Sequence, residues 1–296
     1  MLELTDMQII RALAKRHDFS FSKGLGQNFL IDPEVCPAIA EYGIPRPECG
    51  VLEIGTGFGV LTQQLALKSE QVVAVELDRR LKPVLAETLA DFKNIRIVWQ
   101  DIMKVNLHEF IREQFGEREV AVCANLPYYI TSPILMHLLE SDVKLKSITV
   151  MVQKEAAERL CAEIGSRSAG AVTAAVQLRG EAEQLFEVPR ESFYPSPKVD
   201  SAVIRITPYE TPVCTPEQLS RVLRVVKAGF AQRRKTAVNA LSAGLSLPKE
   251  QVTAALAECG QKETVRFEQL DRETLLRLTD ALAGGDRKSS GGVPRD

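Results

Sequence analysis

The sequence predicts an α/β fold: a parallel sheet covered by helices on both faces, followed by a smaller all-α domain. Three observations predict it. Short apolar runs alternate with amphipathic stretches from residue 50 to 164. The pattern turns wholly helical after Pro208. A glycine-rich turn, Gly55-Thr56-Gly57-Phe58-Gly59, joins the first apolar run to the first helix of the alternating series.

Taken in order, residues 1–22 read as an N-terminal helical arm, with Met7, Ile10, Leu13 and Ala14 at helical spacing. Lys23-Gly24-Leu25-Gly26-Gln27-Asn28-Phe29-Leu30 follows, and Asp32-Pro33 opens a helix, because proline in a first turn forfeits no bonded N–H. Buried strands are expected at 51–54, 72–75, 95–99, 120–124 and 147–152, and helices at 60–67, 79–92 and 154–164. Segments around 174–188 and 201–206 supply antiparallel edges, which puts the sheet domain at 23–207. Thr215-Pro216-Glu217-Gln218 pairs a capping threonine with proline at the first helical position, within a helical domain at 208–283. Residues 284–296 are rich in Gly and Ser and are expected to be disordered.

Of the 296 residues, 45% are hydrophobic and 26% charged, the balance of a soluble globular protein. No apolar run is long enough to span a bilayer, and Glu3 and Asp6 stand where a secretion signal is basic, so a cytoplasmic location is expected. Cys36, Cys49, Cys123, Cys161, Cys214 and Cys259 form no CxxC pair, which argues for buried thiols in a reducing compartment. With His17, His108 and His137 equally scattered, no metal site is expected. No heptad or apolar stripe points to self-association, so the expectation is a monomer. At a formal net charge of -2, any grip on nucleic acid has to come from a local basic cluster.

The glycines at Gly55, Gly57 and Gly59 let the chain turn tightly and approach a ligand. Their spacing is G-x-G-x-G, not the G-x-G-x-x-G that aims a helix at a pyrophosphate, which disfavours a dinucleotide-dependent dehydrogenase and suits a phosphate-free cofactor such as S-adenosylmethionine. Glu76 ends the second strand, where a carboxylate can accept ribose hydroxyls, and Asp101 ends the third, where one can accept from an adenine amino group. Acids at such positions also cap helices, and both readings stand.

The fourth strand ends in Asn125-Leu126-Pro127-Tyr128. A carboxamide beside two backbone carbonyls accepts from an exocyclic NH2, proline stiffens the turn, and the tyrosine offers a flat face to a flipped base. An adenine amino nitrogen is a poor nucleophile because its lone pair is delocalised. Accepting its N–H groups favours a more available lone pair, and displacement at a sulfonium methyl then needs placement more than acid–base help.

With these motifs in order, the chain resembles the KsgA family of ribosomal RNA adenine dimethyltransferases over about residues 20–275. The resemblance is carried by Gly26 to Leu30, Glu53 to Gly59, Asn125 to Tyr128, Phe193-Tyr194-Pro195-Ser196-Pro197-Lys198-Val199-Asp200-Ser201 and Phe230-Ala231-Gln232-Arg233-Arg234-Lys235. It implies a Rossmann-like methyltransferase sheet using S-adenosylmethionine, held by Asn28, Leu30, Gly55, Gly57, Glu76, Asp101 and Asn125. It also implies that Phe193 lies opposite Tyr128 across the target base and that Lys198 meets phosphate. The implied substrate is a pair of adjacent adenines near the 3′ end of small-subunit rRNA, each methylated twice, in an immature small ribosomal subunit. One departure is Ala169-Gly170-Ala171-Val172, where the family often has Tyr-Gly-x-Leu.

Arg221, Arg224, Lys227, Arg233, Arg234 and Lys235 form a run without an acid, an RNA-binding face if phosphate compensates it and a solvated helix face otherwise. Two further readings stay open: an antibiotic-resistance type of large-subunit rRNA methyltransferase, and a non-catalytic ribosome assembly factor with the same fold.

Overall fold

Val72-Val73-Ala74-Val75 is buried along its whole length, as a strand must be when helices cover both faces of its sheet. The computed structural model describes residues 2–20, 28–141, 143–211 and 213–288, and the chain divides into two compact units. The first comprises residues 1–161 and 180–210, and the second residues 162–179 and 211–296.

The first unit begins with α1 (Met7–Arg16), β1 (Phe29–Leu30), α2 (Val35–Gly43), β2 (Gly50–Ile54) and α3 (Val60–Lys68). It continues through β3 (Val72–Glu76), α4 (Lys82–Thr88), β4 (Ile95–Trp99), α5 (Leu107–Phe115) and β5 (Val120–Asn125). Next come α6 (Thr131–Glu140), β6 (Leu145–Gln153) and α7 (Lys154–Leu160). The second unit supplies α8 (Ala171–Arg179), after which the chain returns to the first for β7 (Gly180–Val188), β8 (Phe193–Tyr194) and β9 (Ser201–Pro208). Helices α9 (Pro216–Ala231), α10 (Ala237–Leu245), α11 (Lys249–Glu258) and α12 (Arg272–Lys288) complete the second unit.

Seven strands form one sheet in the order β4-β3-β2-β5-β6-β9-β7. The first five are parallel, and β9 and β7 add the antiparallel edge. The N-terminal residues are not a detached arm. Ile10, Leu13 and Ala14 of α1 are buried with Phe19, Phe29, Leu81 and Leu85, and Phe58 of the glycine turn packs edge-on against Phe19 and Phe29 at 5.2 and 4.7 Å.

Several expectations need correction. Ala174 lies inside α8, and the strand starts only at Gly180; a short apolar run fits either state, and here packing against α9 decides for helix. The helix expected over 79–92 is a 3-10 turn at Arg79–Leu81 followed by α4, which ends at Thr88. The helix expected over 154–164 stops at Leu160. Helix α12 runs to Lys288, into the stretch expected to be disordered, while 289–296 and Lys23 to Gln27 lie outside the described residues. Among the described residues no helix is long and apolar enough to cross a membrane.

In the second unit the sequence start signal for α9 is realised as a capping box: Gln218 N donates to Thr215 Oγ1 at 3.3 Å and Thr215 N to Gln218 Oε1 at 3.0 Å. Gly229 of α9 lies so close to the Phe267 ring that a Cβ there overlaps it.

Candidate active site

On either side of β2 the chain leads away in opposite directions, through β3 to β4 and through β5 to β6. Such a reversal opens a crevice beyond the carboxyl ends of the strands. The cavity found there is lined by the turns after β2, β3, β4 and β5. Asn28, Leu30, Gly55, Gly57, Glu76, Asp101, Asn125, Leu126, Pro127, Tyr128 and Phe193 all face it.

Gly55, Gly57 and Gly59 have φ of +77°, +54° and +91°, the left-handed region that favours glycine. A Cβ built on Gly55 meets nothing within 4 Å, so the backbone here is bare toward the cavity. The turn is tied to β3 by Glu76. Its Oε2 accepts from Thr56 N at 2.8 Å and Thr56 Oγ1 at 3.0 Å, and its Oε1 accepts from Asp78 N at 2.7 Å. Oε1 therefore keeps one lone pair for a ligand hydroxyl.

Of the two readings of an acid at a strand end, Asp101 shows the cap directly. Its Oδ1 caps the 3-10 turn at Ile102–Lys104 by accepting from Met103 N at 3.0 Å, while the residue also lines the cavity. Asp78 lines it too, but its carboxylate is gripped by Arg80, whose Nε and Nη2 donate at 2.8 and 2.6 Å.

At the end of β5, Pro127 O accepts from Ile130 N at 3.1 Å and Thr131 Oγ1 at 3.2 Å, which fixes the turn. That leaves the Asn125 carboxamide and the Leu126 carbonyl as the turn's acceptors, since no described residue is bonded to the Asn125 side chain. Tyr128 is half-buried, and its hydroxyl shares a 2.6 Å hydrogen bond with Ser201 Oγ, which tethers the ring to β9. Burial raises the phenol pKa, with the Ser201 bond pulling it partly back, so the group stays neutral. Ser201, buried and opposite Gln153 in the β6–β9 ladder, and Thr56 are positioning residues that the motif reading did not assign.

Phe193 reaches the cavity through a short antiparallel ladder, with Leu30 opposite Phe193 and Phe29 opposite Tyr194. Its ring is only 3% exposed and belongs to the main core with Leu30, Val35, Ile39 and Leu61. Cys36 also lines the cavity, but burial pushes its thiol far above the usual range, so it offers no nucleophile. Among the described residues no group of three or more His, Cys, Asp or Glu side chains is gathered as metal ligands are.

Glu53 lies in β2 behind the glycine turn, fully buried, with neither carboxyl oxygen hydrogen-bonded. Burial pushes its pKa up to about 8; nearby Thr62 offsets part of this, and the charge on Glu76 adds to it. The folded state thus keeps a proton that the unfolded chain, with a carboxyl near pH 4.3, releases. Unfolding releases that proton between about pH 4.5 and 8, so this residue's contribution makes stability fall as pH rises through the window and level off above it. Glu53→Gln should remove this component. Denaturant unfolding at pH 5.5, 7 and 8.5 measures it, and equal slopes for the two proteins would rule the effect out.

Not every expected contact joins this site. Lys198 lies on a different cavity of the first unit, with Gln153, Lys154, Arg190 and Asp200. In the second unit, Arg221, Arg224 and Lys227 occupy the exposed side of α9, opposite buried Val222, Leu223, Val225 and Val226. Arg233 is turned to internal use: Nη2 donates to Arg167 O at 3.1 Å and Ala169 O at 2.9 Å, and Nε donates to Glu268 Oε2 at 3.2 Å. The loop before α8 has carbonyls in need of donors, and this guanidinium supplies them while Arg233, like Arg234 and Lys235, stays exposed. The Ala169 departure is buried in that same loop.

The sequence matches the ribosomal RNA adenine dimethylase family over residues 18–283. It is 44% identical over 276 residues to the ribosomal RNA small subunit methyltransferase A of Geobacillus thermodenitrificans (strain NG80-2), covering 92% of this chain and 94% of the relative. Among solved structures, the 23S rRNA methyltransferase ErmE superposes with a TM-score of 0.63 and 30% identity, over 86% of this chain and 100% of the other. A dimethyladenosine transferase from Plasmodium falciparum superposes with a TM-score of 0.68 at 24% identity, over 88% of this chain and 98% of that one, a likeness of fold.

Proposed function

The chain belongs to the ribosomal RNA adenine dimethylase family, and from that premise we propose that it dimethylates the 6-amino groups of two adjacent adenines near the 3′ end of small-subunit rRNA, with S-adenosylmethionine as methyl donor. The observation that carries this reading is the turn after β5: an Asn125 carboxamide with no partner among the described residues and a tethered Tyr128 ring share one cavity with the glycine turn.

Bound beside Gly55, Glu76 and Asp101, S-adenosylmethionine supplies an electrophilic methyl group on a sulfonium. Glu76 accepts a ribose hydroxyl through its remaining lone pair, and Asp101 accepts through the carboxylate oxygen not engaged in capping. Asn28 and Leu30 close the cavity from the N-terminal side. The Tyr128 face receives the flipped adenine, and Phe193 walls the same cavity. The Asn125 carboxamide and the Leu126 carbonyl accept the two amino N–H groups, which localises the nitrogen lone pair. The amine becomes acidic once it carries a methyl, so its proton leaves to solvent without a general base.

The small-subunit substrate rests on the 44%-identical relative; the 30% likeness to a 23S rRNA enzyme favours large-subunit RNA as the second reading. In the first reading the partner is an immature small subunit, met in the cytoplasm by a monomer. Arg221, Arg224, Lys227, Arg234 and Lys235 meet phosphate along the exposed face of the second unit, and Lys198 meets it on the first.

The test is transfer from labelled S-adenosylmethionine to immature small subunits that lack the modification, followed by digestion to nucleosides. The expected label is in dimethyladenosine. Label on large-subunit RNA alone would transfer the assignment to the second reading, and label on neither would leave a non-catalytic assembly role.

A further inference from the structure

Tyr129 follows Tyr128 in the turn after β5 and is 59% exposed, the most exposed large hydrophobic side chain among the described residues. Leu67 is almost as exposed, at 58%, but lies on the outer side of α3 and faces no cavity, which is ordinary for a surface residue. Tyr129 differs because it stands on the rim of the cavity that holds Asn125 and Tyr128. No ring, cation or hydrogen-bonding group among the described residues engages it. Folding therefore gives no reason for an aromatic side chain at this position.

The ring is also held on a stiff support. Pro127 restricts the backbone two residues before it, and Ile130 and Thr131 both donate to the Pro127 carbonyl just after it. Helix α6 begins at Thr131, and Tyr128 is tied to β9 through Ser201. A flat apolar face presented to water from a rigid backbone beside a base-binding site meets the requirement for stacking, because a tyrosine has only two side-chain torsions to order on contact. Extruding one base from an RNA strand leaves its neighbour stacked on one side only, and a fixed aromatic face there recovers part of that loss.

We propose that Tyr129 is the platform on which the base next to the target adenine stacks, so that adjacent tyrosines hold adjacent nucleotides. This rests on the rRNA-adenine reading above, and it makes Tyr129 a substrate-positioning residue with no part in the methyl transfer itself. Stacking of this kind is sequence-tolerant, since every base presents a π face.

Steady-state transfer to immature small subunits by wild type, Tyr129→Ala and Tyr129→Phe tests it, with S-adenosylmethionine affinity measured by calorimetry. Tyr129→Ala should raise KM for the particle roughly tenfold at near-constant kcat, and Tyr129→Phe should stay within about twofold of wild type. S-adenosylmethionine affinity should be the same in all three. An unchanged KM in Tyr129→Ala overturns the proposal. So does a Tyr129→Phe as defective as Tyr129→Ala, which would assign the effect to the hydroxyl, and so does a loss confined to cofactor binding. Failure of wild type to methylate the particle would instead sink the substrate reading, which keeps the two failures distinguishable.

Discussion

Asn125→Ala should lower the single-turnover rate of methyl transfer by about 10²–10³-fold, the cost of removing one preorganised group aimed at charge that develops in the transition state. The carboxamide makes no bond to any described residue, so truncating it breaks nothing in the folded protein. Thermal unfolding should therefore match wild type, and the loss should appear in kcat with little change in KM for the particle. Asn125→Asp keeps an acceptor at the same place and should retain more activity than the alanine variant. The measurement is a single-turnover time course with enzyme in excess. A rate within threefold of wild type for Asn125→Ala would mean that the amino group is held elsewhere.

Glu76→Ala should weaken S-adenosylmethionine binding by roughly 10²-fold or more and also lower stability, because the same carboxylate serves both ends. On the protein side it satisfies Thr56 N, Thr56 Oγ1 and Asp78 N; its removal orphans the two backbone N–H groups at about 1–3 kcal/mol each, while Thr56 Oγ1 keeps its 3.4 Å bond to Gly57 O. On the ligand side the lost bond is charge-assisted, and the glycine turn it anchors is free to drift from its cradle geometry. Glu76→Gln is the informative companion. A carboxamide keeps one acceptor oxygen but puts an NH2 against a donor from Thr56 or Asp78, so it should recover only part of the loss. Calorimetry with S-adenosylmethionine and thermal unfolding with and without it read both effects, and wild-type affinity in Glu76→Ala would remove Glu76 from the cofactor site.

The five parallel strands were legible because fully buried strands read as unbroken apolar runs, with Gly55, Glu76, Asp101 and Asn125 where those runs end, whereas their order in the sheet rests on pairings that no local pattern encodes. What escaped was non-local or ambiguous. Phe193 reaches the cavity only through pairing with Leu30, far away in sequence, and Ser201 steadies Tyr128 only because β9 returns beside β6. No local pattern encodes either partner, and only the family resemblance placed Phe193 at the site. Ala174 was misread because alanine and valine in a short run suit strand and helix alike. Charge spacing along the chain groups Arg233 with its basic neighbours but does not reveal that its guanidinium also bonds the carbonyls of Arg167 and Ala169.

The two-residue ladder that joins Leu30 to Phe193 has a thermodynamic corollary. Both strands contribute a wall of the same cavity, and each fixes its partner through the same backbone bonds. Any free energy that the first ligand contributes to ordering this ladder is available to the second, and reciprocity requires the transfer to be equal in both directions. Cofactor and RNA seated against Leu30 and Phe193 as proposed would therefore each raise the affinity of the other by one common factor.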